Sequence, residues 1–179
     1  ASKLVIEGLK KLEYRGYDSA GIASVSAGTL NTIKSEGKLI NLIDKLNQVS
    51  NLNLKSDSSI SIGHTRWATH GNVSVENAHP LISENRVAVV HNGIIENYDP
   101  IKKFLIAEGY SFKSHTDTEV LPHLFAKYIK LGNNFLQAGR LVLKDIKGAF
   151  AFVALCLDFP NELFVSSNSS PLGIGFGDK

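Results

Sequence analysis

Methionine is absent from these 179 residues, cysteine and tryptophan occur once each, and proline occurs five times. A lone cysteine, Cys156, excludes a disulfide within the chain and suits a reducing, cytoplasmic setting. No apolar run is long enough to span a bilayer and no signal peptide is visible, so no membrane association is expected. Neither sign of charge dominates: 19 Lys and Arg stand against 17 Asp and Glu, a net charge of +2. That excess is too small to argue for nucleic acid, and Lys10-Lys11 and Lys102-Lys103 read as solvated helix faces. Internal repeats, low-complexity tracts and interdomain linkers are missing. The glycine loop ending in Gly-Lys-Ser or Gly-Lys-Thr that cradles phosphates is missing too. Gly173-Ile174-Gly175-Phe176-Gly177 resembles part of a dinucleotide fingerprint but opens no helix, so a turn is the better reading. The chain opens on Ala1 without an initiator, so a fragment or a processed product is expected.

What is present fits one well-cored globular domain, with 43% hydrophobic and 20% charged residues. The densest cluster of chemistry is Gly63-His64-Thr65-Arg66-Trp67-Ala68-Thr69-His70-Gly71. Ile60-Ser61-Ile62 before it alternates as a half-buried strand does, whereas the cluster has neither helical nor alternating period and reads as a loop leaving that strand. Arginine offers a planar fork of donors suited to a carboxylate, and the neighbouring hydroxyls and imidazoles extend the same donor set. Alternatively, Arg66 pairs with a neighbour and Trp67 packs on the core. Four of the six histidines lie between His64 and His91. None has the His-Glu-x-x-His spacing and no cysteine is near, so no metal and no cofactor are expected.

Helices are expected over Ala1 to Glu13, Leu39 to Val49, Asn97 to Glu108 and Asn134 to Leu143, where apolar residues recur at helical spacing. Thr116-Asp117-Thr118-Glu119 matches a capping box ahead of a helix carrying Val120, Leu121, Leu124, Phe125, Tyr128 and Ile129. Pro122 requires that helix to start near Thr118. Strands are expected at Ile22 to Ser26 and Leu30 to Lys34 around an Ala27-Gly28 turn, with an exposed loop over Ser50 to Ser59. Further strands are expected at Arg86 to Val90, Ala149 to Leu157, Leu163 to Ser167 and Leu172 to Ile174. Asn92-Gly93 is the pair most used in tight hairpin turns. Cys156 sits in an apolar strand, where burial raises a thiol pKa, and reads as structural. The element order is not a strict βαβ alternation, so an α+β fold with mainly antiparallel sheets and helices on their outer faces is predicted. Asp117 is first a carboxylate at a helix start. It could also hold an ammonium, and with Arg66 in one pocket it would grip both charges of a free α-amino acid; spacing alone does not show that they meet.

Four stretches occur in order: Tyr14-Arg15-Gly16-Tyr17-Asp18-Ser19-Ala20-Gly21, His64 to Gly71, His91-Asn92-Gly93-Ile94-Ile95-Glu96-Asn97, and Thr116 to Val120. Together they resemble the glutaminase domain of the glucosamine-6-phosphate synthases, which are class II glutamine amidotransferases. Other class II amidotransferases usually differ in the first stretch. The resemblance implies a four-layer αββα sandwich of the N-terminal-nucleophile hydrolases, spanning 1–179 as one glutaminase domain incomplete at both ends. It implies L-glutamine as substrate, with Arg66, Thr69 and His70 on its α-carboxylate and Asp117 on its α-ammonium. Asn92 and the Gly93 N–H would form the oxyanion hole, and Trp67 would belong to a mobile loop over the substrate. Arg15 and His79 match family positions near the site without a definite role. Ammonia would pass to fructose 6-phosphate at a sugar-isomerase domain, in a homodimer.

The family's nucleophile is an N-terminal cysteine whose own α-amino group is the base. This chain starts at Ala1, so as written it is expected to be unable to form the thioester; the missing segment is expected to exist in the real molecule. Two alternatives follow: a glutamine-binding or sensing module without a nucleophile, and the glutaminase domain of another class II amidotransferase.

Overall fold

The computed structural model describes residues 1–48, 60–67 and 72–177. The readings made for Val49, the Ser50 to Ser59 loop, Thr69 and His70 fall outside those residues.

Two antiparallel sheets stack face to face and each carries helices on its outer side. The first has strand order β2-β1-β3, with β1 at Ser19–Ser26, β2 at Thr29–Glu36 and β3 at Ile60–Arg66. The second has order β4-β5-β6-β7, with β4 at Leu81–Ser83, β5 at Val87–Gly93, β6 at Phe150–Cys156 and β7 at Leu163–Asn168. Helices α1 (Ser2–Leu12) and α2 (Leu39–Gln48) cover the first sheet, joined by Leu9, Ala20, Ile22, Ile33, Leu39 and Leu42. Helices α3 (Tyr98–Ala107), α4 (Val120–Lys130) and α5 (Phe135–Asp145) cover the second, over a core rich in phenylalanine. This is the predicted αββα sandwich. Among the described residues, no helix is long and apolar enough to cross a membrane.

Strand periodicity sorts side chains between these layers. On β1, Ala20 and Ile22 face the helices while Ala23 and Val25 face the other sheet. All eight residues of β1 are buried, as befits a central strand covered on both faces. On β5, Val87 and Val89 face α4 and α5, whereas Ala88 and Val90 meet Ile60, Ile62 and Leu155 between the sheets.

Four local expectations change. The stretch His64 to Arg66, expected as loop, continues β3, because Gly21, Ala20 and Ser19 of β1 stand opposite His64, Thr65 and Arg66. Ladder pairing with a buried central strand outweighs the absent side-chain alternation. Asn92-Gly93 is no hairpin turn but the end of β5, opposite Ala151 and Phe150. Gly93 has φ +122°, and a Cβ there would run into the Ala149 carbonyl, so glycine is required by both conformation and space. Leu172 to Ile174 forms no strand. The capping box does not close either. A 3-10 turn over Asp117–Glu119 leads into α4, placing Pro122 in that helix's first turn, and Thr116 makes no side-chain cap. Glu119 instead reaches back to the N–H groups of Lys113 (2.9 Å) and Ser114 (2.6 Å). The capping box that does form is at α5, where Asn134 and Gln137 bond reciprocally.

Candidate active site

The inward-facing residues of β3 run Ile60, Ile62, His64, Arg66, and those of β5 run Ala88, Val90, Asn92. Each series starts apolar and ends polar at the same edge of the sandwich. There the two sheets part into a cleft of about 620 Å³, lined among others by Arg15, His64, Arg66, Trp67, His79, Asn92, Gly93 and Asp117. Residues from five separate stretches of sequence thus share one cavity.

Arg66 is buried at the end of β3, its Nη1 3.4 Å from the Asn72 carbonyl. Burial disfavours its charge, while Asp18 and Asp117 favour it. The Arg66 carbonyl accepts from the Asp18 N–H at 3.1 Å, so the Tyr14 to Gly21 stretch closes the end of the strand. A Cβ on Gly16 would press on the Thr65 carbonyl and the Arg66 backbone, which explains glycine within that stretch. Trp67 is 57% exposed at the rim and packs on Tyr17, ring centroids 5.6 Å apart. It therefore does not pack into the core.

Asp117 lines the same cleft, its Oδ2 accepting the Ile95 N–H at 2.6 Å. Its neighbour Thr118 bonds His91 Nδ1 at 2.8 Å. On β5, the exposed Asn92 directs Oδ1 to His64 Nε2, 2.8 Å away. The rings of His64 and His79 lie 4.5 Å apart, and those of His79 and His91 6.5 Å apart. Burial lowers all three pKa values, that of His64 to about 4 and that of His79 well below the usual imidazole range. These imidazoles are neutral at physiological pH, so the positive charge lining the cleft comes from its arginines, Arg66 and Arg15. Among the described residues, no three His, Cys, Asp or Glu are grouped so as to hold a metal ion.

Two connecting groups escaped the sequence reading. Asn77, 1% exposed, donates through Nδ2 to the Asn72 carbonyl (2.8 Å) and accepts at Oδ1 from the His115 N–H (2.8 Å). It ties the carbonyl that holds Arg66 to the loop that delivers Asp117. Lys34 donates to the Ala78 carbonyl at 2.7 Å, and burial pulls its pKa down to about 8. Nothing in the Asn77-Ala78-His79-Pro80 string signals a strut, since asparagine before a turn residue is commonplace. Cys156 lies elsewhere: it faces the helix-side core, and burial pushes its thiol up to about 11. It is no nucleophile for this cleft.

A family model described as a glutamine amidotransferase domain matches residues 64–169. The glutamine–fructose-6-phosphate aminotransferase (isomerizing) of Thermosynechococcus vestitus is 47% identical over 181 residues, covering 99% of this chain and 28% of that protein. The enzymes of the same name from Methanosarcina mazei and Pyrococcus horikoshii are 48% and 46% identical, each across 99% of the chain. The chain spans a little over a quarter of the length of these relatives. Among solved structures, the glutamine phosphoribosylpyrophosphate amidotransferase of B. subtilis, complexed with ADP and GMP, superposes with a TM-score of 0.72. It is 28% identical, over 94% of this chain and 35% of its own. A structure described as the allosteric regulatory enzyme of purine biosynthesis gives 0.74 at 29% identity, with the same coverage. The sandwich is that of the N-terminal-nucleophile hydrolases, and the chain belongs to the glutamine amidotransferase domain family.

Proposed function

We propose that residues 1–179 form one glutaminase domain that releases ammonia from L-glutamine for the conversion of fructose 6-phosphate to glucosamine 6-phosphate. The observation that carries this reading is the convergence of Arg66, Asp117, Asn92 and Gly93 on one cleft. Arg66 binds the α-carboxylate, with Thr69 and His70 assisting, and Asp117 holds the α-ammonium. A free α-amino acid carries both charges, and partners of both signs lining one cleft select it over a peptide. The Asn92 amide and the Gly93 N–H then meet the oxyanion of the tetrahedral intermediates that thioester formation and hydrolysis pass through. Fixed donors of this kind act on the transition state. Trp67, at the rim, closes over bound glutamine.

The high identity to enzymes named for fructose 6-phosphate supports that acceptor over the phosphoribosyl acceptor named for the B. subtilis neighbour. A sugar-isomerase domain, a homodimer and a cytoplasmic location belong to the same reading. Calorimetric titration with L-glutamine, run beside an assay of released glutamate, tests it. Binding with turnover in the full-length protein is expected. Binding without turnover would favour a glutamine-sensing module, and no binding would end the proposal.

A further inference from the structure

We infer that His64 is a positioning residue that determines which end of the Asn92 amide faces the substrate. The inference rests on the reading of Asn92 as an oxyanion donor. A carboxamide has an acceptor end and a donor end on one carbon, and rotation about its last torsion exchanges them. Only the Nδ2 end can stabilise an oxyanion; the Oδ1 end would repel it. Asn92 is exposed at the end of β5, so packing does not choose between the two. His64 does, because its Nε2 lies 2.8 Å from Oδ1. An Nε2–H imidazole donates to Oδ1, and Nδ2 is thereby turned away from His64 and toward the cleft.

The placement follows from the sandwich. His64 on β3 and Asn92 on β5 are inward-facing residues of different sheets, one step beyond the apolar pairs Ile62 and Val90. The hydrogen bond spans the gap between the sheets at the point where the cleft begins. Its donor ring is braced by the buried ring of His79. Burial keeps His64 neutral, so it supplies a donor without adding a second positive charge beside Arg66. A lysine or arginine there would compete for the α-carboxylate, and an apolar residue would leave the amide free to turn.

The test is a kinetic cycle on the full-length enzyme with His64→Leu, Asn92→Ala and the double variant. His64→Leu is expected to lower kcat for glutamine hydrolysis about 10- to 100-fold, below the full loss of one oxyanion donor, with KM for glutamine essentially unchanged. The double variant is expected to be no slower than Asn92→Ala alone, since His64 acts through that amide. Multiplicative losses, an unchanged kcat in His64→Leu, or a rise in KM alone would overturn the inference. A second measurement needs no substitution: the ¹⁵N shifts of the His64 ring report its tautomer. Protonation at Nε2 supports the inference; protonation at Nδ1, which makes Nε2 an acceptor for Asn92 Nδ2, overturns it. Asn92→Ala at wild-type kcat would instead remove the oxyanion reading itself, and so the two failures are distinguishable.

Discussion

The layer between the two sheets has two ends built on opposite principles. At one end Val25, Ile60, Ala88 and Leu155 close it with side chains that have no polar atoms, and water is excluded. At the other, the same inward-facing positions carry His64, Arg66 and Asn92, and the layer opens into the cleft. Burial stabilises at the first end and penalises at the second, where it pushes imidazoles toward neutrality and works against the Arg66 charge. The closed end holds the strands in place; the open end uses that rigidity to keep costly groups in position. The contrast teaches that the site is the continuation of the core, with the residue types changed.

The contrast can be broken from either side. Leu155→Ala, at the closed end, is expected to cost about 2–5 kcal/mol in denaturant unfolding while leaving KM for glutamine unchanged. Asn92→Ala, at the open end, is expected to do the reverse. Its kcat should fall about 10²- to 10³-fold, roughly 3–4 kcal/mol, with the unfolding midpoint nearly unmoved because the side chain is exposed. Arg66→Ala should weaken glutamine binding by about 1.5–3 kcal/mol, the usual worth of hydrogen bonds to a charged group, as read by calorimetry. Asn77→Ala removes the tie between the two sides of the cleft. It should cost roughly 1–3 kcal/mol of stability, and it should raise KM more than it lowers kcat.

The last effect expected concerns pH. Burial alone would raise the pKa of Glu119, yet the His123 ring 3.8 Å away and hydrogen bonds from the Lys113 and Ser114 backbone hold it at about 2. A carboxylate with a depressed folded pKa contributes stability that is fully present above its unfolded value, and this is lost as pH falls toward the folded one. Denaturant midpoints should therefore decline between roughly pH 5 and pH 2 in the wild type, and less steeply in Glu119→Gln.

Much of the fold was legible in the sequence because burial imposes period. Leu39, Ile43 and Leu46 announce α2, and the Ala27-Gly28 turn between β1 and β2 is there, with φ of +48° and +70°. The misread places are those where a partner distant in sequence decides. The continuation of β3 through Arg66 depends on β1. The extended Asn92-Gly93 depends on β6, and Glu119 serves the chain before Thr116 more than its own helix. The site residues were legible as types suited to a free amino acid and by family resemblance. Their convergence was not, since it arises from two sheets meeting at one edge. Arg15 and His79, noted without a role, both line the cleft. The Asn77 and Lys34 ties were silent because their partners are backbone carbonyls and N–H groups, which any sequence supplies.

Pairing of β1 with β3 runs from Ser19 opposite Arg66 to Val25 opposite Ile60. A shift of that ladder by a single position would turn His64 and Arg66 toward α1 and present Thr65 and Gly63 to the second sheet. Recognition is therefore indexed to an integer, the count of residues along the strand. Chain-length variation within Ile60–Arg66 would erase the site at a stroke even where every catalytic letter survived, so homologues that keep the chemistry must place their insertions outside this strand.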